Sequence, residues 1–313
     1  MAVATADQAR ALVQRGAQTR RGGRRSGWRR QLILQILCLI VTATVLFPIL
    51  WIFSLALDPR NLSRPDGLIP PGASLDSFAK VLAQPTDDPI DFLGLALNSF
   101  KLAAGISIFT CLLGILAAYP LSRFKFGLRE AVMIAILGVL MLPAVATMAP
   151  LFVMLNGIRL DLPALGTFNL RQSLLGVGLA VISGQLPFAI WNLKGYLDTI
   201  PKELEEAASV DGATRTQTFI RVVLPLALPA LAVTAFLSFV TGWTEFYFVS
   251  IFLNNANDFT LSLALNKMVG AFGQTPWSEF AAFAILFSAP VSLVYFFFQR
   301  YIVGGLAIGG VKG

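Results

Sequence analysis

Six long stretches of this chain carry no charged side chain: Gln31–Leu57, Leu102–Ser122, Ala131–Ile158, Gln172–Leu193, Val222–Thr244 and Phe280–Gln299. Each is long enough to cross roughly 30 Å of hydrocarbon, which takes about 20 helical residues. Lipid offers no hydrogen-bond partner to an open strand, and the alternating pattern of a β-barrel is absent, so helices are the only consistent reading. The pattern predicts an all-α membrane protein with six transmembrane helices. Polar segments divide it into a basic tail over 1–30, a first span over 31–57, a loop over 58–98, a five-helix core over 99–300 and a tail over 301–313. The 58–98 loop carries turn signals, Arg64-Pro65-Asp66-Gly67 and Pro70-Pro71-Gly72, with little apolar periodicity. The polar loop 254–278 ends beside Trp277, a residue suited to a membrane interface.

Composition agrees. The 313 residues are 56% hydrophobic and 13% charged, against about 25% charged in a soluble domain. The net charge of +7 would suit nucleic acid were it spread over a soluble surface. The basic residues instead gather at the edges of the apolar runs, which argues against nucleic acid and for a lipid bilayer. Histidine is absent and the two cysteines, Cys38 and Cys111, lie inside apolar runs. A histidine-based hydrolytic centre, a zinc site and a disulfide frame are therefore not expected.

Charge also predicts orientation. With the N-terminus in the cytoplasm, 17 Lys and Arg lie inside and 7 outside, the asymmetry expected of cytoplasmic flanks. Both termini are then cytoplasmic. The run after the basic tail is too long for a signal-peptide core, so it reads as a retained span. Arg29-Arg30 is read as part of a lipid-attracting tail rather than as a twin-arginine signal.

The longest inside loop runs from Lys194 towards Pro225. Asp198 or Thr199 can cap a helix with Pro201 in its first turn and Glu203, Glu205 and Glu206 near its start. Leu204, Ala207 and Ala208 give that helix a narrow apolar face that a partner can approach closely. Asp211-Gly212 follows, and Gly212 ends the helix because glycine turns left-handed without a Cβ penalty. A second helix begins near Thr214. The order Glu206-Ala207-Ala208, Gly212, Val222, Leu224-Pro225 resembles the EAA loop of ABC importer permeases, with valine at 222 where isoleucine is commonest. Trp191–Tyr196, Thr244-Glu245 and the glycine-rich tail 304–313 are similar to carbohydrate-importer permeases, and most similar to the second membrane subunit of maltose/maltodextrin importers.

The resemblance covers the chain after about Leu32. It implies a subunit of the prokaryotic inner or plasma membrane that is not itself an enzyme and holds no cofactor, ATP and magnesium being bound by a partner. Its partners would be a second permease, two ATP-binding cassette subunits and an extracytoplasmic sugar-binding protein. The resemblance makes the residues from Glu203 to Pro225 the coupling element that docks on the ATPase. It also places Gly309, Gly310 and Val311 in a tail between the ATPase subunits, and sends the loop 254–277 towards the binding protein. Within this class a permease for another solute, such as glycerol-phosphate, is the alternative.

Span five suggests a polar route independently of resemblance. Thr234, Ser238, Thr241 and Glu245 recur at helical spacing on one face, and a carboxylate in a span usually faces protein or water. That face either lines a cavity or bonds a neighbouring helix. Trp243, Tyr247 and Phe248 either stack on a sugar ring or pack at the interface. Pro143, Pro150, Pro187, Pro229 and Pro290 each allow a kink. An ion-driven transporter should carry several embedded charges; only Glu245 and the border residue Lys101 qualify.

Overall fold

A computed structural model describes residues 28–162, 166–270 and 275–309. The chain divides into two compact units, Met1–Trp51 and Ile52–Gly313. The described part of the first unit is helical throughout and belongs to α1 (Trp28–Leu57), which ends in the second unit. The large apolar side chains of α1 from Leu32 to Leu50 are exposed all round, as a helix surrounded by acyl chains requires.

The second unit continues with α2 (Asp76–Ala83), α3 (Phe92–Arg123), α4 (Arg129–Leu140), α5 (Ala144–Asn156), α6 (Leu174–Leu197), α7 (Glu203–Val210), α8 (Arg215–Leu226), α9 (Leu228–Trp243), α10 (Tyr247–Phe252), α11 (Leu261–Lys267) and α12 (Trp277–Gly309). Its centre is the packing of α3 on α6 and α9, with α12 against the far side of α9. Small residues allow this close approach. A Cβ on Gly242 would stand 2.8 Å from the Ala103 Cα, and one on Gly114 would meet the Ala189 Cβ at 3.2 Å. Between apolar helices in lipid, such contacts replace the hydrophobic drive that water provides.

Four helices are long and apolar enough to cross a membrane, and two bent pairs bring the number to as many as six. The predicted third and fifth spans are not single rods. α4 and the helix from Val145 to Asn156 are bent by 102° around the break that contains Pro143, and α8 meets α9 at 71° just before Pro229. Proline has no N–H to continue the ladder and its ring clashes with the preceding turn, so both breaks fall where a kink is allowed. Pro150, Pro187 and Pro290 remain inside continuous helices.

Two further corrections concern the loops. The 58–98 segment holds α2, with Ser77 and Val81 buried, and Lys80 pairs with Glu279 of α12 at 3.1 Å. Asn98 donates to the carbonyls of Asn257 and Phe259 at 2.7 and 3.0 Å, tying the 254–278 loop to α3. Between α5 and α6 lies an antiparallel hairpin, Arg159–Leu162 with Gly166–Asn169. Four-residue strands are too short to leave a period in the sequence.

Candidate functional site

The loop singled out by the sequence folds as α7 and α8, joined at Gly212. Glu203, Glu205 and Glu206 occupy the first turn of α7, where free N–H groups favour negative charge. No side chain caps that start. Asp198 and Thr199, expected there, serve the end of α6 instead, which runs past Leu193 to Leu197. Asp198 accepts from the Lys194 ammonium and the Ser122 hydroxyl, each at 2.6 Å. Burial pushes the Asp198 carboxyl up, but these two bonds and the positive charges of Lys194 and Arg129 together hold it below the ordinary value. The Thr199 hydroxyl donates to the Tyr196 carbonyl at 2.7 Å.

The exit of α7 is as the sequence predicts. Gly212 has φ +84°; its N–H donates to the Ser209 carbonyl at 3.1 Å and that of Ala213 to Ala208 at 2.9 Å. This double bond pattern satisfies the last carbonyls of the helix and needs a left-handed residue at the turn. Thr214 then caps α8: its hydroxyl accepts the Gln217 N–H at 3.3 Å, and the Gln217 side chain accepts the Thr214 N–H at 2.8 Å. Over Phe219–Val223 the helix widens into a π turn, a one-residue expansion. Val223, not Val222, is the valine that this turn buries completely.

The two faces of α7 differ. Glu205 turns inward: one carboxylate oxygen pairs with Arg123 Nε and the other accepts the Tyr119 hydroxyl at 2.9 Å. Glu203, Leu204, Glu206, Ala207 and Val210 are exposed, as are Asp211 and Gly212, and Ala208 is half-buried. Among the described residues nothing bonds the Glu203 or Glu206 carboxylates. The outward face is thus apolar along Leu204, Ala207 and Val210, with acids beside it. Beneath the loop, Ile115, Ala118, Leu193, Leu197, Ile200, Val223, Ala227 and Ala230 form an apolar cluster of their own. Leu224 is half-buried and Pro225 exposed at its edge.

The polar face expected on span five is divided by the structure. Thr234 is buried, donating to the Ala230 carbonyl at 2.9 Å and accepting from Asn192 of α6 at 3.0 Å; Ser238 is buried as well. Both lie within the chain's own packing. Thr241 is half-buried with its hydroxyl on the Leu237 carbonyl at 3.0 Å. Glu245 does not share that helix, because α9 ends at Trp243. Its carboxylate caps α10 by accepting the Phe248 N–H at 2.8 Å, and its carbonyl accepts the Ser262 hydroxyl. A side-chain cap is the usual way to satisfy the first N–H groups after such a break. Trp243 and Phe248 are packed inside, while Tyr247 is 61% exposed. Of the tail, Gly309 closes α12, whereas Gly310 and Val311 lie outside the described residues.

Comparison with known proteins agrees with this arrangement. Residues 111–307 match the family described as "Binding-protein-dependent transport system inner membrane component". The trehalose/maltose transport system permease protein MalG of Thermococcus litoralis is 32% identical over 286 residues, covering 91% of this chain and 98% of that protein. The chain belongs to this transport family. The maltose/maltodextrin transport system permease protein MalG of Escherichia coli K12 is 32% identical over 91% of this permease and 96% of its own length. A crystal structure of a bacterial ABC transporter involved in the import of the acidic polysaccharide alginate shares the fold. Its TM-score is 0.63 at 21% identity, over 89% of this chain and 98% of that one. The permease is accordingly a multi-pass membrane protein, and the family match spans from the second half of α3 into α12.

Sequence reasoning passed over several residues that organise this permease. Arg123 entered only as a basic flank, yet its side chain is 5% exposed. Tyr119 and Ser122, one turn and one residue before it, raised no expectation. Arg171 was likewise a flank; it is buried, stacks over Phe152 at 4.6 Å, and donates to the Asn156 side chain and the Phe252 carbonyl. A basic residue that directly ends an apolar run, with hydroxyls one turn away, was the available signal for Arg123.

Proposed function

We propose that this permease forms one half of the pore of an ATP-driven importer that carries a sugar of the maltose or maltodextrin class into the cytoplasm. The observation that carries the reading is the unpartnered outward face of α7, acidic at its start, apolar along Leu204, Ala207 and Val210, and ended by Gly212. The names of relatives that match over nine-tenths of the chain support the sugar class. In this reading both termini and the α7–α8 loop lie in the cytoplasm. α7 docks on an ATP-binding cassette subunit, which binds ATP and magnesium, and Glu206 pairs with a basic residue there. Closure of two such subunits moves α7 and opens the bundle outward; hydrolysis reverses the motion. A second permease completes the pore, and an extracytoplasmic binding protein delivers sugar near the 254–277 loop. Thr241, Glu245 and the exposed Tyr247 are the span-five groups that remain available to the route in this conformation, and Gly309–Val311 continue towards the ATPase.

Uptake of labelled maltose by vesicles holding the whole complex tests this reading. Uptake should require internal ATP and persist in the presence of an ionophore. Glu206→Lys and Gly212→Pro should each lower it by about tenfold or more, the effect of losing 1.4 kcal/mol of coupling, with membrane insertion unchanged. ATP-independent uptake that an ionophore abolishes would refute it.

A further inference from the structure

Arg123 stands at the last turn of α3 and is held in three directions at once. Its Nε pairs with Glu205, its Nη2 donates to the Ile200 carbonyl at 3.1 Å, and its Nη1 donates to the Ser122 hydroxyl at 3.3 Å. Glu205 is equally engaged, one oxygen on Arg123 and the other on Tyr119. The chain of bonds continues from Ser122 to Asp198 and from Asp198 to Lys194 at the end of α6. Three elements, α3, α6 and α7, are thereby joined by one continuous polar network. The side chains of Arg123 and Glu205 are 5% and 15% exposed, so water contributes little to either.

We propose that the Arg123–Glu205 pair is a strut that makes α7 and the end of α3 one rigid body, so that motion imposed on α7 enters the bundle through α3. The proposal rests on the importer reading above and deepens it: Arg123 and Glu205 are positioning residues, while the outward face of α7 meets the partner. The physical reason is over-determination. A guanidinium is planar and permanently charged, so sliding α7 along α3 would strand a buried cation and a buried carboxylate together. Losing either partner leaves the other uncompensated. The rest of α7 supplies no comparable link to α3. Its outward acids are unbonded among the described residues, its start carries no side-chain cap, and the bonds that close its end at Gly212 run back within α7 itself. The link is therefore concentrated in this pair and its Tyr119 neighbour.

Two measurements on the full complex test the strut separately from the importer reading. In a Cys38→Ser, Cys111→Ser background, spin labels at Lys125 and Ser209, both exposed and the latter off the outward docking face, report the distance between the end of α3 and α7. The wild type should give one narrow distance that is the same with and without ATP. Glu205→Gln should broaden it, and so should Arg123→Gln. Where those variants assemble, ATP consumed per maltose taken up should rise about tenfold. The exchange Arg123→Glu with Glu205→Arg should narrow the distance again and recover part of the ratio, a rescue that loss of folding would not show. A Glu205→Gln distribution as narrow as the wild type's, or a wild-type distance that changes with ATP, overturns the strut whatever the uptake. Absence of ATP-driven uptake by the wild type overturns the importer reading, and the distance measurement still judges the strut.

Discussion

Away from the α7–α8 loop, α3, α6 and α9 meet through their smallest side chains: Gly242 lies on Ala103 and Gly114 on Ala189. At the loop end α3 and α6, and α7 with them, meet through ions and hydroxyls centred on Arg123, Glu205, Ser122 and Asp198. The first kind of contact is dense and non-directional, each atom pair contributing only about 0.1–0.2 kcal/mol. It resists added volume strongly yet allows two helices to shift slightly without loss of a specific bond. The second kind is directional, and a small shift breaks several bonds together. The bundle thus combines a tightly packed but adjustable middle with an end that moves only as a unit.

Three substitutions would sharpen or break that contrast. The largest effect is expected at Gly242. A leucine there must displace the α3 backbone at Ala103, since even a Cβ would approach its Cα to 2.8 Å. Overpacking of this kind costs about 3 kcal/mol, measurable as lowered resistance to unfolding in mixed detergent micelles. An unchanged unfolding midpoint would mean that the middle is looser than its geometry implies. Next comes Asn192→Ala, which removes the 3.0 Å bond to Thr234 between α6 and α9. Interhelical bonds of this type average about 0.6 kcal/mol, so the variant should unfold only slightly more easily. A loss of several kcal/mol would show that directional bonds govern the middle too.

The smallest effect is a pH dependence at the loop end. Asp198 is held below the ordinary carboxylate value of 3.8. Its contribution is therefore present above about that pH and fades as pH falls through the lower, folded value. The Asp198 side chain is 39% exposed, and an i,i+4 pair with Lys194 contributes only about 0.3–0.5 kcal/mol. Unfolding measured from pH 6 down to pH 3 should show Asp198→Asn slightly less stable at pH 6 and converging with the wild type at the acid end. A constant offset across the range would remove charge from the explanation.

Much of this arrangement was legible along the chain. Gly212 ends α7 as expected because its demand is local: a left-handed turn needs no Cβ. Thr214 opens α8 for the same reason, its cap partner Gln217 being three residues away. The apolar runs predicted where helices form, but not that the third and fifth bend by 102° and 71°. Proline permits a kink without setting its angle, and neighbouring helices set the angle. Asp198 was misplaced because two helix ends compete for it, and the donors Ser122 and Lys194 decide the contest from α3 and α6. Thr234 and Ser238 keep the spacing of a polar face, yet spacing alone does not say whether that face meets a cavity or a neighbour.

By itself the sequence determined the solvent of this protein, the helical class, the loop with its two helices and the family, since each depends on residue types at short separations. Only the tertiary structure decided which glutamate of α7 turns inward, where Glu245 sits relative to α9, and which basic flank is buried. Those outcomes depend on partners far away along the chain, Arg123 with Glu205 and Ser262 with Glu245. A buried charge or backbone carbonyl takes whichever partner packing brings within reach.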